Sequence, residues 1–224
     1  MKKNIWIIAN WKSNKTIAEG LDWISQVGSQ ISKNDQLKVV VCPTFSALSE
    51  AKKAVTVGNF PLMIGSQDLS PFGIGAYTGE EPAQVLSQLV DLAILGHSER
   101  RQNFGETDEM VAKKVGQALA NNITPLVCVQ DGQTPVPQGC PLAAYEPIFA
   151  IGTGNPDTLE NANNVAAKLK QSYGDLEVLY GGSVTSDNVE SFIAQENING
   201  VLVGGASLEA EEFIKICKIA GEKI

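Results

Sequence analysis

The sequence is poor in the residues that most often build metal and redox sites. It contains a single histidine, His97, and four cysteines that lie far apart and form no Cys-x-x-Cys pair: Cys42, Cys128, Cys140 and Cys217. Zinc sites need several such ligands at short spacing, so we expect no metal centre. Widely spaced cysteines without a disulfide pattern favour reduced thiols in a cytoplasmic protein.

The chain also lacks a long apolar run and an excess of positive charge. No stretch approaches the roughly 18 apolar residues that a membrane-spanning helix needs. The short apolar run after Lys2 and Lys3 has no small-residue cleavage site and is a poor signal peptide. The formal net charge is −8, whereas nucleic-acid backbones are bound by basic surfaces. We therefore expect neither a membrane nor a nucleic-acid partner, and local groups must hold any anionic ligand.

What the sequence does contain is a regular alternation of apolar runs and amphipathic segments. The apolar runs are nearly continuous, as in strands buried on both faces. They span Asn4–Ala9, Lys38–Cys42, Leu62–Ser66, Asp91–Leu95, Thr124–Val129, Leu142–Tyr145, Glu177–Tyr180 and Gly200–Val203. The segments with helical periodicity are Ala18–Ile31, Phe45–Lys53, Pro82–Leu89, Asp108–Ala120, Asp157–Tyr173, Asp187–Ala194 and Ala210–Ile219.

Eight strands separated by helices predict a closed (β/α)8 barrel that occupies residues 1–224 as one domain. A doubly wound open parallel sheet is the alternative. One interval breaks the pattern, because residues 130–141 contain three prolines and two glycines. Proline lacks a backbone donor and clashes inside a helix. In a barrel, the helix after the fifth strand is therefore expected to be missing.

Chemically useful side chains follow several of the predicted strands. Taken singly, His97 is an ordinary core or surface residue, Lys12 a solvated cation and Glu146 a loop carboxylate. In a barrel, however, these groups and Asn10 converge on one mouth, where the loops after the strands build the active site. Glycine-rich loops follow the last three strands, and such loops bind phosphate through backbone N–H groups. The set indicates a small phosphorylated ligand, a base and groups that polarise an oxygen.

Six motifs occur in a fixed order along the chain. They are Asn10-Trp11-Lys12, Gly75–Glu80, Gly96–Arg101, Tyr145–Pro147 with Ala150–Gly154, Tyr180–Ser183 and Gly204–Leu208. In this order the chain closely resembles the triosephosphate isomerase family, and the resemblance runs from one end to the other.

The resemblance implies interconversion of dihydroxyacetone phosphate and D-glyceraldehyde 3-phosphate through an enediolate, in glycolysis and gluconeogenesis, without a cofactor. Glu146 would be the base that moves a proton between adjacent carbons. His97 would be the neutral electrophile that polarises the substrate oxygens, with help from Asn10. Lys12 would stabilise the enediolate and offset the phosphate charge. Preplaced donors of this kind are typically worth several kcal/mol to a developing oxyanion.

The resemblance also implies the phosphate contacts and the supporting residues. The phosphate would be held by backbone N–H groups at Gly152, Ser183, Gly204 and Gly205. Ser98 and Glu99 match positions that surround Glu146 and Lys12. Residues Pro147–Asp157 would form a lid that excludes water from the reactive intermediate.

The chain departs from the family pattern in and near this lid. Phe149 stands where the family usually has tryptophan, and we expect the lid to close with altered kinetics because an aromatic ring remains. Asn155-Pro156-Asp157 replaces small residues at the second hinge, where proline fixes φ and stiffens the chain. After the fifth strand, Cys128–Asp131 replaces the customary Cys-Ile-Gly-Glu, and the missing helix follows directly.

The missing helix raises a question of assembly. Without it, apolar residues on the outer faces of strands five and six need cover from the proline-rich loop or from another subunit. The Gly75–Glu80 loop resembles the family's dimer loop, whose threonine, Thr78 here, reaches towards the partner's site. We expect a homodimer, with a homotetramer, as in shortened relatives, as the alternative.

Two other functions remain open at this point. One is a different phosphosugar isomerase on the same barrel, and the other is a catalytically impaired barrel scaffold. The joint presence of Asn10, Lys12, His97 and Glu146 opposes both, whereas the missing helix motivates the scaffold.

Overall fold

The computed structural model describes residues 3–150 and 154–224. Eight parallel strands close into a barrel in chain order, because the last strand pairs with the first. The strands are β1 (Ile5–Asn10), β2 (Leu37–Cys42), β3 (Met63–Ser66), β4 (Leu92–Leu95), β5 (Thr124–Val129), β6 (Leu142–Tyr145), β7 (Glu177–Tyr180) and β8 (Gly200–Val203). The predicted barrel is confirmed, and the open sheet is wrong because an open sheet has two unpaired edges.

Each strand except β5 is followed along the chain by at least one helix. The helices are α1 (Ile17–Gly28), α2 (Leu48–Gly58), α3 (Ala83–Leu86), α4 (Ser98–Phe104), α5 (Asp108–Ala120), α6 (Leu159–Tyr173), α7 (Val189–Ile193) and α8 (Ala210–Gly221). Three short 3-10 helices complete the described secondary structure, at Phe45–Ala47, Ile148–Ala150 and Gly205–Leu208. Within the described ranges, no helix has the length and apolar character to cross a bilayer.

The predicted helix bounds were accurate where a capping residue marks the end of the helix, and wrong where the capping residue was not recognised. Helix α5 has the predicted bounds, with Thr107 as its N-cap. Helix α2 continues five residues beyond the predicted end at Lys53, because Asn59 adopts a left-handed conformation and caps it there. Helix α7 begins at Val189, two residues after the predicted start at Asp187, and its N-cap Asn188 makes no side-chain capping bond.

Two apolar layers follow from the alternation of side chains along each strand. In β1, Ile5 and Ile7 face the helices, whereas Trp6 and Ile8 face the barrel interior. The interior cluster consists of alternate residues from most of the strands: Trp6, Ile8, Val40, Cys42, Leu92, Ile94, Leu126, Cys128, Leu142, Ala144, Leu179 and Leu202. This packed interior closes the barrel beneath its mouth.

Residues 130–141 stand in place of a helix between β5 and β6, as predicted, and the structure shows what covers these two strands. Val136 and Cys140 are 5% and 9% exposed and belong to the outer core. The backbone N–H of Val136 donates to the Tyr173 hydroxyl of α6 at 3.1 Å. All four residues of β6 and all of β5 except Thr124 are buried. The proline-rich loop of the same chain therefore covers these faces without a second subunit.

Candidate active site

The alternation of side chains along β1 and β6 brings the Asn10 amide and the Glu146 carboxylate to the barrel mouth. Trp6 and Ile8 face the interior of β1, and Asn10 is the next residue in that series. Leu142 and Ala144 face the interior of β6, and Glu146 continues that series in the same way. With Lys12 and His97, these two side chains line one cavity of about 240 Å³ at the carboxyl ends of the strands. The structure thus brings the four predicted catalytic residues together.

The imidazole of His97 is oriented by the start of α4. Gly96 turns the chain at the end of β4 with a φ of 70°, and His97 is the N-cap of the helix that follows. Its Nδ1 accepts a hydrogen bond from the Glu99 backbone N–H at 3.2 Å. An accepting Nδ1 carries no proton, so the neutral ring carries its proton on Nε2. Nε2 lies 3.1 Å from Oε1 of Glu146.

Glu146 is a buried carboxylate held between several neighbours. Its backbone N–H donates to the Val129 carbonyl at 2.8 Å, which continues the ladder of β6 with β5. Its Oε2 accepts from the Ser98 backbone N–H at 3.0 Å. On its other side, a Cβ on Gly181 would lie 2.9 Å from Cγ of Glu146. Position 181 therefore needs glycine, a role that the sequence signalled only as part of a glycine pair.

The backbone of Lys12 is held in an unfavourable conformation. Its φ is 54°, a left-handed value that costs energy for a residue with a Cβ. Two side-chain amides stabilise it: Asn10 Oδ1 accepts from the Lys12 N–H at 3.1 Å, and Gln67 Nε2 donates to the Lys12 carbonyl at 2.8 Å. The ammonium contacts Glu99 Oε1 at 2.5 Å. Gln67 belongs to no sequence motif and was missed.

The remaining wall of the cavity is glycine-rich. Ser183, Gly204 and Gly205 line it, as the resemblance implied, and a Cβ on Gly205 would meet open space. Among the lining residues that the structure describes, Lys12 is the cationic one. The fourth predicted phosphate contact, Gly152, lies outside the described residues.

The cysteines are packed and unreactive. All four are included in the described ranges, and each is buried and free of a disulfide. Burial raises the pKa of Cys140 to about 11. Cys128 lies in the barrel interior, where burial and then the Glu146 carboxylate hold the pKa of its thiol well above the usual range. These thiols stay neutral at physiological pH, so they are not nucleophiles.

A metal centre is not formed by the described part of the chain. No group of three or more histidine, cysteine, aspartate or glutamate side chains there could hold an ion. At the mouth, the side chains of Glu146, His97, Asn10 and Lys12 supply a carboxylate, an imidazole, an amide and an ammonium.

A (β/α)8 barrel with these groups at its mouth belongs to the class of barrel enzymes with acid–base sites. A family model described as triosephosphate isomerase matches residues 5–140 and 141–220. The chain belongs to the triosephosphate isomerase family. The two matched stretches meet at the end of the loop between β5 and β6.

Curated relatives named triosephosphate isomerase match nearly the whole chain. The protein of Alkaliphilus metalliredigens (strain QYMF) is 40% identical over 249 residues, which cover 96% of this chain and 99% of that protein. The protein of Dehalococcoides mccartyi (strain CBDB1) is 35% identical over 247 residues, with 97% of each chain covered. That of Thermoanaerobacter pseudethanolicus (strain ATCC 33223 / 39E) is 37% identical over 243 residues, covering 94% and 97%.

Proposed function

We propose that this chain, an isomerase by its family, interconverts dihydroxyacetone phosphate and D-glyceraldehyde 3-phosphate at the barrel mouth, in glycolysis and gluconeogenesis. The observation that carries the proposal is the 3.1 Å approach of His97 Nε2 to Glu146 Oε1. Both groups line the same cavity as Lys12 and Asn10. A base and an N–H donor at this separation can act on adjacent atoms of one small substrate.

Each of the four side chains has a distinct role in the proposed proton transfer. The Glu146 carboxylate removes a proton from one carbon, and the electron pair moves to the neighbouring carbonyl oxygen. The Nε2–H of His97 and the Asn10 amide donate to the oxygens as charge develops, and the Lys12 ammonium stabilises the enediolate. A proton passes from the hydroxyl oxygen on the first carbon to the former carbonyl oxygen, because the His97 ring donates to one oxygen and accepts from the other. Glu146 then returns its proton to the adjacent carbon. The reaction redistributes protons within one molecule and needs no cofactor.

The other named residues bind phosphate or support these four. On a chain with a net charge of −8, the phosphate needs local donors, which we assign to the backbone at Gly152, Ser183, Gly204 and Gly205. Ser98 supports the base through its backbone N–H. Glu99 contacts the Lys12 ammonium through its carboxylate and donates its backbone N–H to the His97 imidazole.

Replacement of Glu146 by glutamine tests the proposal. The variant keeps the size of the side chain but cannot accept the proton, so kcat is expected to fall by about 10²–10⁴-fold. Turnover of glyceraldehyde 3-phosphate is measured by coupling it to reduction of dihydroxyacetone phosphate. The matched control is Glu50→Gln, on the exposed face of α2, which should keep wild-type turnover.

The outcomes separate the alternatives. Full turnover in the Glu146→Gln variant would show that the base is misassigned. A folded wild-type protein without turnover would favour the scaffold.

We also propose a cytoplasmic homodimer in which the whole chain is one domain. The loop from Gly75 to Glu80 would carry Thr78 into the interface, and Ile74 and Tyr77 near it are 64% and 45% exposed. A second cavity shares Asn10, Lys12 and His97 with the first and also has Phe45 and Phe104 in its lining, so it offers a recess for a partner's loop beside the catalytic groups. The in-chain cover of β5 and β6 removes the reason for a tetramer, and the four free thiols support a reducing compartment.

A further inference from the structure

Asp157 is a buried carboxylate for which the proposed reaction has no use. It is 9% exposed and directly precedes Thr158, the N-cap of α6. Its Oδ2 accepts hydrogen bonds from the Tyr145 hydroxyl at 3.0 Å and from Asn161 Nδ2 at 2.6 Å. Its Oδ1 accepts from the Thr158 N–H at 2.7 Å. Burial of a carboxylate is costly without such donors, so these contacts define a built polar junction.

The main chain of Asp157 is tied to a second strand. Its backbone N–H donates to the Tyr180 hydroxyl at 2.7 Å. Tyr180 ends β7 and pairs in register with Tyr145, which ends β6. The Tyr180 ring is itself fixed, because it stacks on Phe192 with centroids 3.9 Å apart. Asp157 therefore connects the carboxyl ends of two neighbouring strands to the start of α6.

The hydroxyl groups of this junction keep their protons over the range in which the enzyme works. Burial, reinforced by the hydrogen bond to Asp157, raises the pKa of Tyr145 well above its ordinary value. Burial raises the pKa of Tyr180 to about 12. The Tyr145 hydroxyl thus remains a donor to the carboxylate.

The junction lies one residue from the base. Tyr145 points into the outer core and Glu146 into the mouth, because successive side chains of a strand face opposite sides. The Tyr145 carbonyl accepts from the Gly181 N–H at 2.8 Å, so its backbone is anchored at one end and its hydroxyl at the other. Loss of the second anchor would let the Tyr145–Glu146 peptide shift and carry the base with it.

We propose that Asp157 is a positioning residue that fixes Glu146 by holding the Tyr145 hydroxyl against the start of α6. The inference rests on the proposed role of Glu146 as the base. It assigns Asp157 no contact with substrate. Its effect is on the geometry of proton transfer and therefore on kcat more than on KM.

A double-mutant cycle with Tyr145→Phe and Asp157→Asn tests this coupling. A misplacement of about 1 Å can cost about 10²-fold in rate, and each variant should lower kcat by about tenfold with KM within about twofold of wild type. Tyr145→Phe removes this hydrogen bond, and Asp157→Asn weakens it by removing the charge of its acceptor. Because both changes act on one contact, the double variant should be no slower than the slower single variant. Tyr145→Phe removes only the hydroxyl group. If Asp157→Asn does not fold, the kcat of Tyr145→Phe alone tests the positioning role.

Tyr173→Phe is the matched control, because it also removes one tyrosine hydroxyl hydrogen bond, to Val136 N–H, far from the mouth. It should keep wild-type kcat. Three outcomes would overturn the positioning role and leave the proposed function standing. They are wild-type kcat in both single variants, effects that multiply in the double variant, and an equal loss of kcat in Tyr173→Phe. A folded wild-type protein without turnover would overturn the proposed function, and this inference with it.

Discussion

Gly181, directly after β7, lies very close to Glu146, the proposed base that directly follows the neighbouring strand β6. A Cβ at position 181 would lie 2.9 Å from Glu146 Cγ and 3.3 Å from the Tyr145 carbonyl oxygen. The Gly181 N–H holds this carbonyl in the sheet ladder, so the Glu146 side chain gives way more readily than the backbone. The residue that matters here has no side chain, and its effect is visible only in three dimensions.

Gly181→Ala should therefore impair turnover while leaving the protein folded. A displaced base is expected to lower kcat by about 10- to 100-fold, measured in the coupled isomerase assay. Gly116→Ala is the control, because a Cβ at this exposed position of α5 meets nothing within 4 Å. That change should raise stability by about 0.5–1 kcal/mol with turnover unchanged. Wild-type kcat in Gly181→Ala would mean that the base tolerates the contact.

Lys114 is a second residue whose importance comes from its surroundings. It is 2% exposed, and its ammonium lies 2.7 Å from Asp68 and also contacts Glu106. Arg100 contacts the same two carboxylates. Burial is the main cause that raises the pKa of Asp68, and Lys114 acts in the opposite direction.

Lys114→Met should destabilise the fold by about 3–5 kcal/mol, because it leaves buried carboxylates short of positive charge. Without the lysine, the pKa of Asp68 rises further. A carboxyl whose pKa is higher in the folded than in the unfolded state stabilises the fold when protonated, so the deficit should be greatest at neutral pH and shrink on acidification. Urea unfolding at several pH values measures it. Lys113→Met, which breaks an exposed pair with Glu109, should match wild type at every pH.

At the level of elements, the loop of residues 130–141 does the covering that a helix would do in a complete barrel. Val136 contributes to the outer core, and the loop contacts α6 through the Tyr173 hydroxyl. On the α5 side, a Cβ on Gly139 would meet Leu119 at 3.4 Å. The loop is thus packed against both flanking helices.

Val136→Ala should lower the free energy of unfolding by about 2 kcal/mol, from lost apolar burial and the cavity left behind. The measurement is the urea midpoint and slope, with turnover of the folded variant expected to stay at the wild-type value. Val57→Ala, at a position 80% exposed on α2, serves as control and should change little. An unchanged midpoint in Val136→Ala would mean that the loop does not hold the strand faces.

At the level of the whole molecule, the prediction concerns the dimer. Light scattering at micromolar concentration should give the mass of two chains. Ile74→Asp should shift the protein towards monomer, because a charge would be desolvated inside an interface. Val57→Asp, on the exposed face of α2, should leave the dimer intact. A monomeric wild-type protein would contradict the proposed assembly.

Much of the fold could be predicted because it depends on local periodicity. The strands β5, β6, β7 and β8 have the predicted bounds, since continuous apolar runs between turn residues are a strong signal. The seven-residue helix α4 was missed, because Ser98–Phe104 is short and polar and is placed by the turn at Gly96. The short helices α3 and α7 were predicted too long, since packing and not propensity ends them.

The sequence by itself determined the barrel, the absence of a helix after β5 and the four residues at the mouth. These features follow from the alternation of side chains along each strand and from the order of the motifs, and both can be read directly from the sequence. Only the tertiary structure decided that the proline-rich loop covers β5 and β6. It also decided which nitrogen of His97 faces Glu146, and that Asp157 joins the ends of two strands to a helix. These features depend on packing and on hydrogen bonds to side chains, such as that of Val136 with Tyr173 and those of Asp157 with Tyr145 and Tyr180, which leave no periodic signal in the sequence.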